Sequence, residues 1–235
     1  MEEFGTTNLI FMWDSPTSLR RDKYPFYKEG RKKKQKVDPD LPNMRRQMVE
    51  LKTILPALGF NAHVEVDGYE ADDTMCEMVR RYPHTSFHIV ANDNDLLQIL
   101  RYKNLKSLFS CRENKRTTYL DFVTIYGIKP DDWHFFKALG GCASDEVPGI
   151  PGIGKTYALR FIKGELPEDS AAYQTIYEHR TTTFIRNHWL VTLPLPGLKD
   201  VKFRIMKNKL SKKKAKLVHE VFGVWFTADW NRWFK

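Results

Sequence analysis

The sequence predicts an α/β fold: a mostly parallel sheet with flanking helices, followed by a helical part. Three observations carry this. Residues 63–66 and 87–90 read as buried strands, and residues 73–82 between them read as a helix. Strand, helix, strand is a crossover unit, which is parallel and right-handed. Acids gather just beyond the strand ends: Glu70, Asp72 and Asp73 in one group, Asp93 and Asp95 in the next. A third apolar run, residues 9–13, stops at Asp14. Open α/β sheets bind their ligands at the carboxyl ends of their strands, so one edge of this sheet is expected to be strongly acidic.

Carboxylates held that close repel one another unless a divalent cation neutralises them. An all-oxygen donor set suits magnesium or manganese. Acids at a helix N-terminus also cap it and complement its dipole, and for Asp72 and Asp73 taken alone both readings stand. Recurrence at three strand ends favours a cation.

The 235 residues carry a formal charge of +9. A basic chain that concentrates acid at one edge points to an anionic polymer on its surface and metal at its acids. Basicity alone would also suit a membrane-surface protein, but a membrane span is excluded, since no apolar run approaches the ~20 residues it needs. Three cysteines without paired spacing and seven scattered histidines argue against a disulfide framework or a zinc finger and for a reducing, cytoplasmic setting.

Beyond Asp14 the chain becomes basic and aromatic. Arg20, Arg21, Lys23, Lys28, Arg31 and Lys32 are interleaved with Tyr24, Phe26 and Tyr27. Cations supply charge for phosphates and rings supply faces for bases, which is what a single strand needs. The breaker DPDLPN then opens a helix whose stripe, Met44, Met48, Leu51, Leu55 and Leu58, is expected in the core, with Gly59 closing it. Strands at 105–111 and at RTTY follow, then a helix at 121–126 stopped by Gly127. Another opens at Pro130, with Asp131 and Asp132 as first-turn acids. Asp169-Ser170 is placed to cap a helix carrying Tyr173, Ile176 and Tyr177, and residues 184–191 read as the next. A basic C-terminal stretch ends in an apolar stripe and the aromatics Trp225, Phe226, Trp230, Trp233 and Phe234.

Gly149 to Thr156 matches the phosphate-loop pattern GxxxxGK[ST]. That motif requires a buried strand immediately before it, and residues 143–148 offer none. A nucleotide hydrolase is therefore the remote alternative. The better reading is a turn between two helices, in which Gly149, Gly152 and Gly154 permit close approach. Its backbone N–H groups, with Lys155 and Thr156 opening a helix, would hold a DNA phosphate.

These pieces, in this order, resemble the 5′-nuclease family: bacteriophage flap endonucleases and 5′–3′ exonucleases, and the N-terminal domain of bacterial DNA polymerase I. WDSPTSLRRDKYPFYKEGR, YEADD, NDNDLLQIL, SDEVPGIPGIGKTYA and IRNHWLVTLP carry the resemblance. It implies a PIN-like core over residues 1–127 with a basic arch at about 15–43. A helix–three-turn–helix DNA-binding subdomain with C-terminal helices would occupy 128–235. It implies metal ligation by Asp14, Glu70, Asp72, Asp73, Asp93, Asp95 and Asp145, holding two magnesium or manganese ions. Lys28 and Arg31 would act at the scissile phosphate. Arg20, Arg21, Lys23, Tyr27 and Lys32 would contact the 5′ single strand, and the hairpin would grip duplex DNA, with a potassium ion among its carbonyls. The reaction implied is two-metal hydrolysis of DNA with a 5′ flap or end, in replication within a bacterial host. RNA in primer hybrids is an implied substrate too. No polymerase region follows, so the free-standing phage type is the nearer resemblance.

The sequence departs from the family pattern twice. Cys142 stands where the hairpin motif has a metal-binding aspartate, and a thiol is a poor ligand for magnesium. The family's first strand and helix precede the strand that 9–13 matches, and a crossover needs at least ~10–12 residues besides its strands. Only eight residues precede Leu9 here, so that unit is expected to be missing, and Glu2 and Glu3 cannot replace it. Hence the alternatives: a catalytically impaired DNA-binding member, or half of a split nuclease completed by a second polypeptide.

Overall fold

The structure, a computed structural model, describes residues 4, 8–30, 39–198, 202–203 and 205–222. The C-terminal aromatics, Arg31 and Lys32 lie outside the described residues. The chain divides into two compact units, 1–13 with 31–65 and 202–235, and 14–30 with 66–201. They interleave along the sequence, and the boundary at residue 127 falls inside the second.

In the first unit β1 (Phe11–Trp13) pairs in parallel with β2 (His63–Glu65), with Phe11 opposite His63. The Trp13 indole donates to His63 Nδ1 at 2.9 Å and stacks on the same ring. Helix α2 (Leu41–Leu58) ends at Gly59, whose φ of 101° is the left-handed conformation that a side chain resists. A Cβ there would also strike the Lys209 carbonyl. Ile54, Leu58 and Phe60 pack with Ala215 and Val218 of a C-terminal helix, Lys212–Phe222. Asn208 joins the pieces by accepting from Asn61 N and Ala62 N and donating to Leu9 O. The expected core stripe of α2 is only half realised. Leu58 is buried, but Met44, Met48 and Leu51 are 52%, 46% and 40% exposed, because the opposing helix covers only the last turns.

The second unit starts with α1 (Leu19–Lys23), capped by the Ser18 hydroxyl. Helix α3 (Ala71–Arg81) follows, then β3 (Phe87–Val90) and a 3₁₀ segment, Asn94–Arg101. Strand β4 (Leu105–Ser110) lies parallel to β3, and β5 (Lys115–Thr117) pairs antiparallel with β4. The core under this sheet gathers Cys76, Val79, Ile89, Leu96, Ile99, Leu100, Leu108 and Phe122. Helix α4 (Tyr119–Tyr126) has reciprocal hydrogen bonds between Thr118 and Asp121 at its start and the left-handed Gly127 at its end. Then come α5 (Trp133–Gly140), α6 (Lys155–Ile162), α7 (Ala171–Glu178) and α8 (Thr183–Val191).

One expectation about the sheet fails. Among the described residues β2 pairs with β1 and β3 with β4, in two sheets rather than one. Three-residue strands have few ladder bonds to give, and β2 uses its register on β1. The acids come together by another route, through the N-terminus of α3.

Candidate metal centre

Helix α3 presents its first turn to the chain around Asp14 and Lys28. Asp14, exposed just past β1, accepts from Ala71 N at 2.7 Å and so caps the first turn of α3, while the capping reading made for Asp73 holds as well, since it accepts from Glu70 N. Asp14 also lies near Asp72, which is half-buried. Burial, and then the charges of Asp93, Glu70 and Asp14, push the Asp72 carboxyl up to about 8, against the pull of Lys28. A carboxyl raised so far by burial among like charges marks a site built to receive positive charge.

Lys28 supplies part of that charge. Its backbone φ is +56°, in the left-handed region that non-glycine residues rarely adopt, and its N–H donates to Asp145 O. The strained backbone aims the ammonium inward, 2.8 and 2.9 Å from the two oxygens of Glu70 and 3.6 Å from Asp145 Oδ1. Gly30 N donates to Glu146 at 2.6 Å and so ties this segment to the chain beyond α5.

A second group is buried. Asp95, Cys142 and Asp145 each offer a ligand atom, all within 4.8 Å of one another. They are 8%, 6% and 2% exposed. Cys142 Sγ lies 3.4 Å from Asp145 Oδ2. Lys137 of α5, a residue the sequence reading missed, ion-pairs with Asp95 and stands 3.7 Å from Cys142 Sγ. The signal was there, a lone cation on the apolar face of WHFFKALG. The donor chemistry of Asp14, Glu70, Asp72 and Asp93 fits a hard divalent cation, while the thiol of the second group does not.

Three expected roles are corrected. Asp73 is fully buried: Arg20 donates to both of its oxygens, at 2.5 and 2.8 Å, and Leu195 N to one. Asp73 is therefore spent on Arg20 rather than on a cation. Arg20, only 2% exposed and also bound to the Leu190 and Thr192 carbonyls, cannot meet DNA; it joins α1, α3 and the end of α8. Tyr27 is 2% exposed and donates to Glu70 at 3.2 Å, so its ring is no base platform. Lys23 remains outside, stacked over Trp189 at 4.1 Å, and Arg21 is half-buried.

The hairpin residues follow α5. No strand precedes them; Cys142 and Val147 form an isolated bridge around a 3₁₀ turn, Ala143–Asp145. This rules against the nucleotide-loop alternative. Gly149 lies so close to the backbone of Leu139 and Gly140 that a Cβ would clash, whereas Gly152, at φ +75°, and Gly154 face open space. Lys155 and Thr156 are exposed at the start of α6. A cleft of about 930 Å³ is lined by Asp93, Lys137, Cys142, Glu146, Gly149 and Lys155 among others.

Comparison with known proteins bears on family and fold. The family described as "5'-3' exonuclease, N-terminal resolvase-like domain" matches residues 1–127. A 5′–3′ exonuclease of Halalkalibacterium halodurans is 32% identical over 185 residues, 76% of this chain and 56% of that protein. The thermostable DNA polymerase I of Thermus thermophilus is 30% identical over 166 residues, 69% of this chain and 19% of the polymerase. The chain thus spans about half of the first relative and a fifth of the second. In fold it is similar to the bacteriophage T5 D15 protein co-crystallised with metal ions, with a TM-score of 0.70 and 22% identity over 84% of this chain and 79% of that one. The catalytic core of Rad2 in complex with DNA substrate superposes with a TM-score of 0.51 at 10% identity, over 90% of this chain and 71% of that one. The mixed helix-and-strand fold is thus that of the T5-type, PIN-like nucleases, and a family match to more than half of the sequence settles the kinship: the chain belongs to the 5′–3′ exonuclease family.

Proposed function

We propose that the chain is a metal-dependent, structure-specific 5′ nuclease that hydrolyses DNA phosphodiesters at a 5′ flap or end. The observation that carries this reading is the crowding of Asp93, Glu70 and Asp14 around Asp72, whose carboxyl is pushed up to about 8 by burial and by their charges. Asp14, Glu70, Asp72 and Asp93 would hold magnesium or manganese, and Asp95 and Asp145 would face a second ion. Held there, two such ions would supply Lewis-acid charge for water activation and for the phosphate being transferred. Lys28, whose ammonium lies 2.8 and 2.9 Å from the oxygens of Glu70, would bring a positive charge to the transferring phosphate. Arg31 belongs beside it in this reading. The backbone N–H groups at Lys155 and Thr156 take a duplex phosphate at the helix N-terminus, and the hairpin carbonyls a potassium ion.

The functional division that goes with this is a nuclease core over 1–127, its basic arch at about 15–43 admitting the single strand past Arg21, Lys23 and Lys32. A helix–three-turn–helix subdomain lies within 128–235. RNA in primer hybrids is a plausible substrate of the same site, and the bacterial or phage-infected cytoplasm its setting. A second reading draws on Cys142 and Lys137, which sit where cation ligands are wanted: an impaired nuclease that binds branched DNA, or half of a split enzyme. Among the described residues β1 and β3 each pair along one edge only, and a second polypeptide could add a strand there.

The test is incubation of the purified chain with a 5′-flap DNA, using magnesium or manganese for cleavage and calcium for binding. Release of short 5′ fragments, lost in Asp93→Asn with DNA binding retained, is the expected result. Binding without cleavage in either metal would favour the second reading. An Asp93→Asn variant cutting at the parental rate would remove the metal assignment.

A further inference from the structure

The geometry points to a cation seat of different chemistry within the same centre: Asp95, Cys142 and Asp145 form a thiolate-containing site that takes a thiophilic divalent metal, of the zinc or cobalt(II) class, in preference to magnesium. This rests on the reading of the acids as cation ligands. It does not rest on cleavage.

Four observations converge. The three ligand atoms lie within 4.8 Å of one another on buried side chains. A tetrahedral zinc(II) ion with bonds of about 2.0–2.3 Å holds its donors roughly 3.5 Å apart, and Cys142 Sγ already stands 3.4 Å from Asp145 Oδ2. Asp95 Oδ1 is buried and, among the described residues, has no hydrogen-bond partner besides the ammonium it ion-pairs with. The cation it meets is the Lys137 ammonium, on a flexible four-carbon stem that an arriving metal can displace toward the cleft its residue lines.

The donor set then selects the metal. Magnesium demands an octahedron of oxygens and gains little from sulfur. Two carboxylates and one thiolate suit a four-coordinate ion and leave one position open, the arrangement of zinc sites that bind water or substrate oxygen. Ligation is redox-neutral: Cys142 gives its S–H proton to solvent as the sulfur–metal bond forms. The other two thiols cannot mimic the signal in the same way, since Cys76 is buried in the core beside Val79 and Cys111 is exposed at a strand end.

The experiment titrates the untagged full chain, free of DNA, with cobalt(II) and follows the near-ultraviolet thiolate-to-cobalt charge-transfer band. The band is expected in the parent protein, absent in Cys142→Ser with circular dichroism unchanged, and abolished by zinc but not by a large excess of magnesium. No band in the parent, or a band that survives in Cys142→Ser, overturns the proposal. Displacement of cobalt by magnesium at comparable concentration does so too. A second variant, Cys142→Asp, should lower the magnesium concentration needed for half-maximal cleavage by ~10-fold; an unchanged requirement counts against the thiol as the selecting group. Cleavage without the band refutes the thiolate seat and leaves the nuclease standing. The band without cleavage in any metal does the reverse.

Discussion

The acids at the head of α3 and the acids beside α5 face the same electrostatic problem and meet it differently. Asp14 and Asp93 are exposed, and Asp72, withdrawn from solvent among their charges, answers burial and crowding by holding a proton up to about pH 8. Asp95 and Asp145 are buried and answer it with internal cations, Lys137 and Lys28. The first group can exchange its proton for a metal with little rearrangement. The second must first dislodge a lysine. Burial converts a site open to any hard cation into one guarded by the protein's own charge, and the thiol of Cys142 changes which ion can pass.

The sharpest form of this contrast lies between neighbours. Asp73→Asn leaves the Arg20 guanidinium buried without its counter-charge, and losing one partner of such a pair costs ~3–5 kcal/mol. Asp72→Asn removes a carboxyl that its neighbours already oppose, so its stability should be unchanged or slightly higher without metal, while metal-dependent cleavage is lost. Urea denaturation of the two variants, with flap cleavage on each, checks this. Equal shifts in stability would mean that the two aspartates do not divide the labour as their surroundings indicate.

Lys28 gives the next largest effect. Its ammonium bridges the two groups through Glu70 and Asp145, so Lys28→Ala should slow cleavage on the order of 10²-fold. DNA affinity in calcium should change far less. Equal losses in rate and affinity would reduce Lys28 to an ordinary phosphate contact and leave the two groups unlinked.

What could be read from the sequence follows the same division. Helix ends were legible because their causes are local: Gly59 and Gly127 in the left-handed region, Ser170 accepting from Tyr173 N. The acids at strand ends were legible because charge at that density has few uses. The separate fates of Asp72 and Asp73 were not, since they depend on Arg20, more than fifty residues upstream. Basic residues read as one DNA-facing set proved mixed, because composition counts charges and does not say which way α1 turns. Lys137 escaped notice because a single lysine on an apolar helix face is ordinarily a solvated tip. The pairing of β1 with β2 instead of one continuous sheet could not be foreseen from strands of three residues.

The smallest predicted effect isolates the open group alone. A free aspartate titrates near ~4, whereas Asp72 in the fold titrates at about 8. Between those values the folded state binds more protons than the unfolded one, so metal-free stability should fall as pH rises through that window and level off above it. The slope is at most about 1.36 kcal/mol per pH unit. A bound cation replaces the proton, so added magnesium should raise the melting temperature more at about pH 8.5 than at about pH 6. Thermal melts at the two pH values, with and without magnesium, read this directly, and Asp72→Asn should erase the difference. If the buried group governed magnesium binding instead, the pH dependence would survive that substitution.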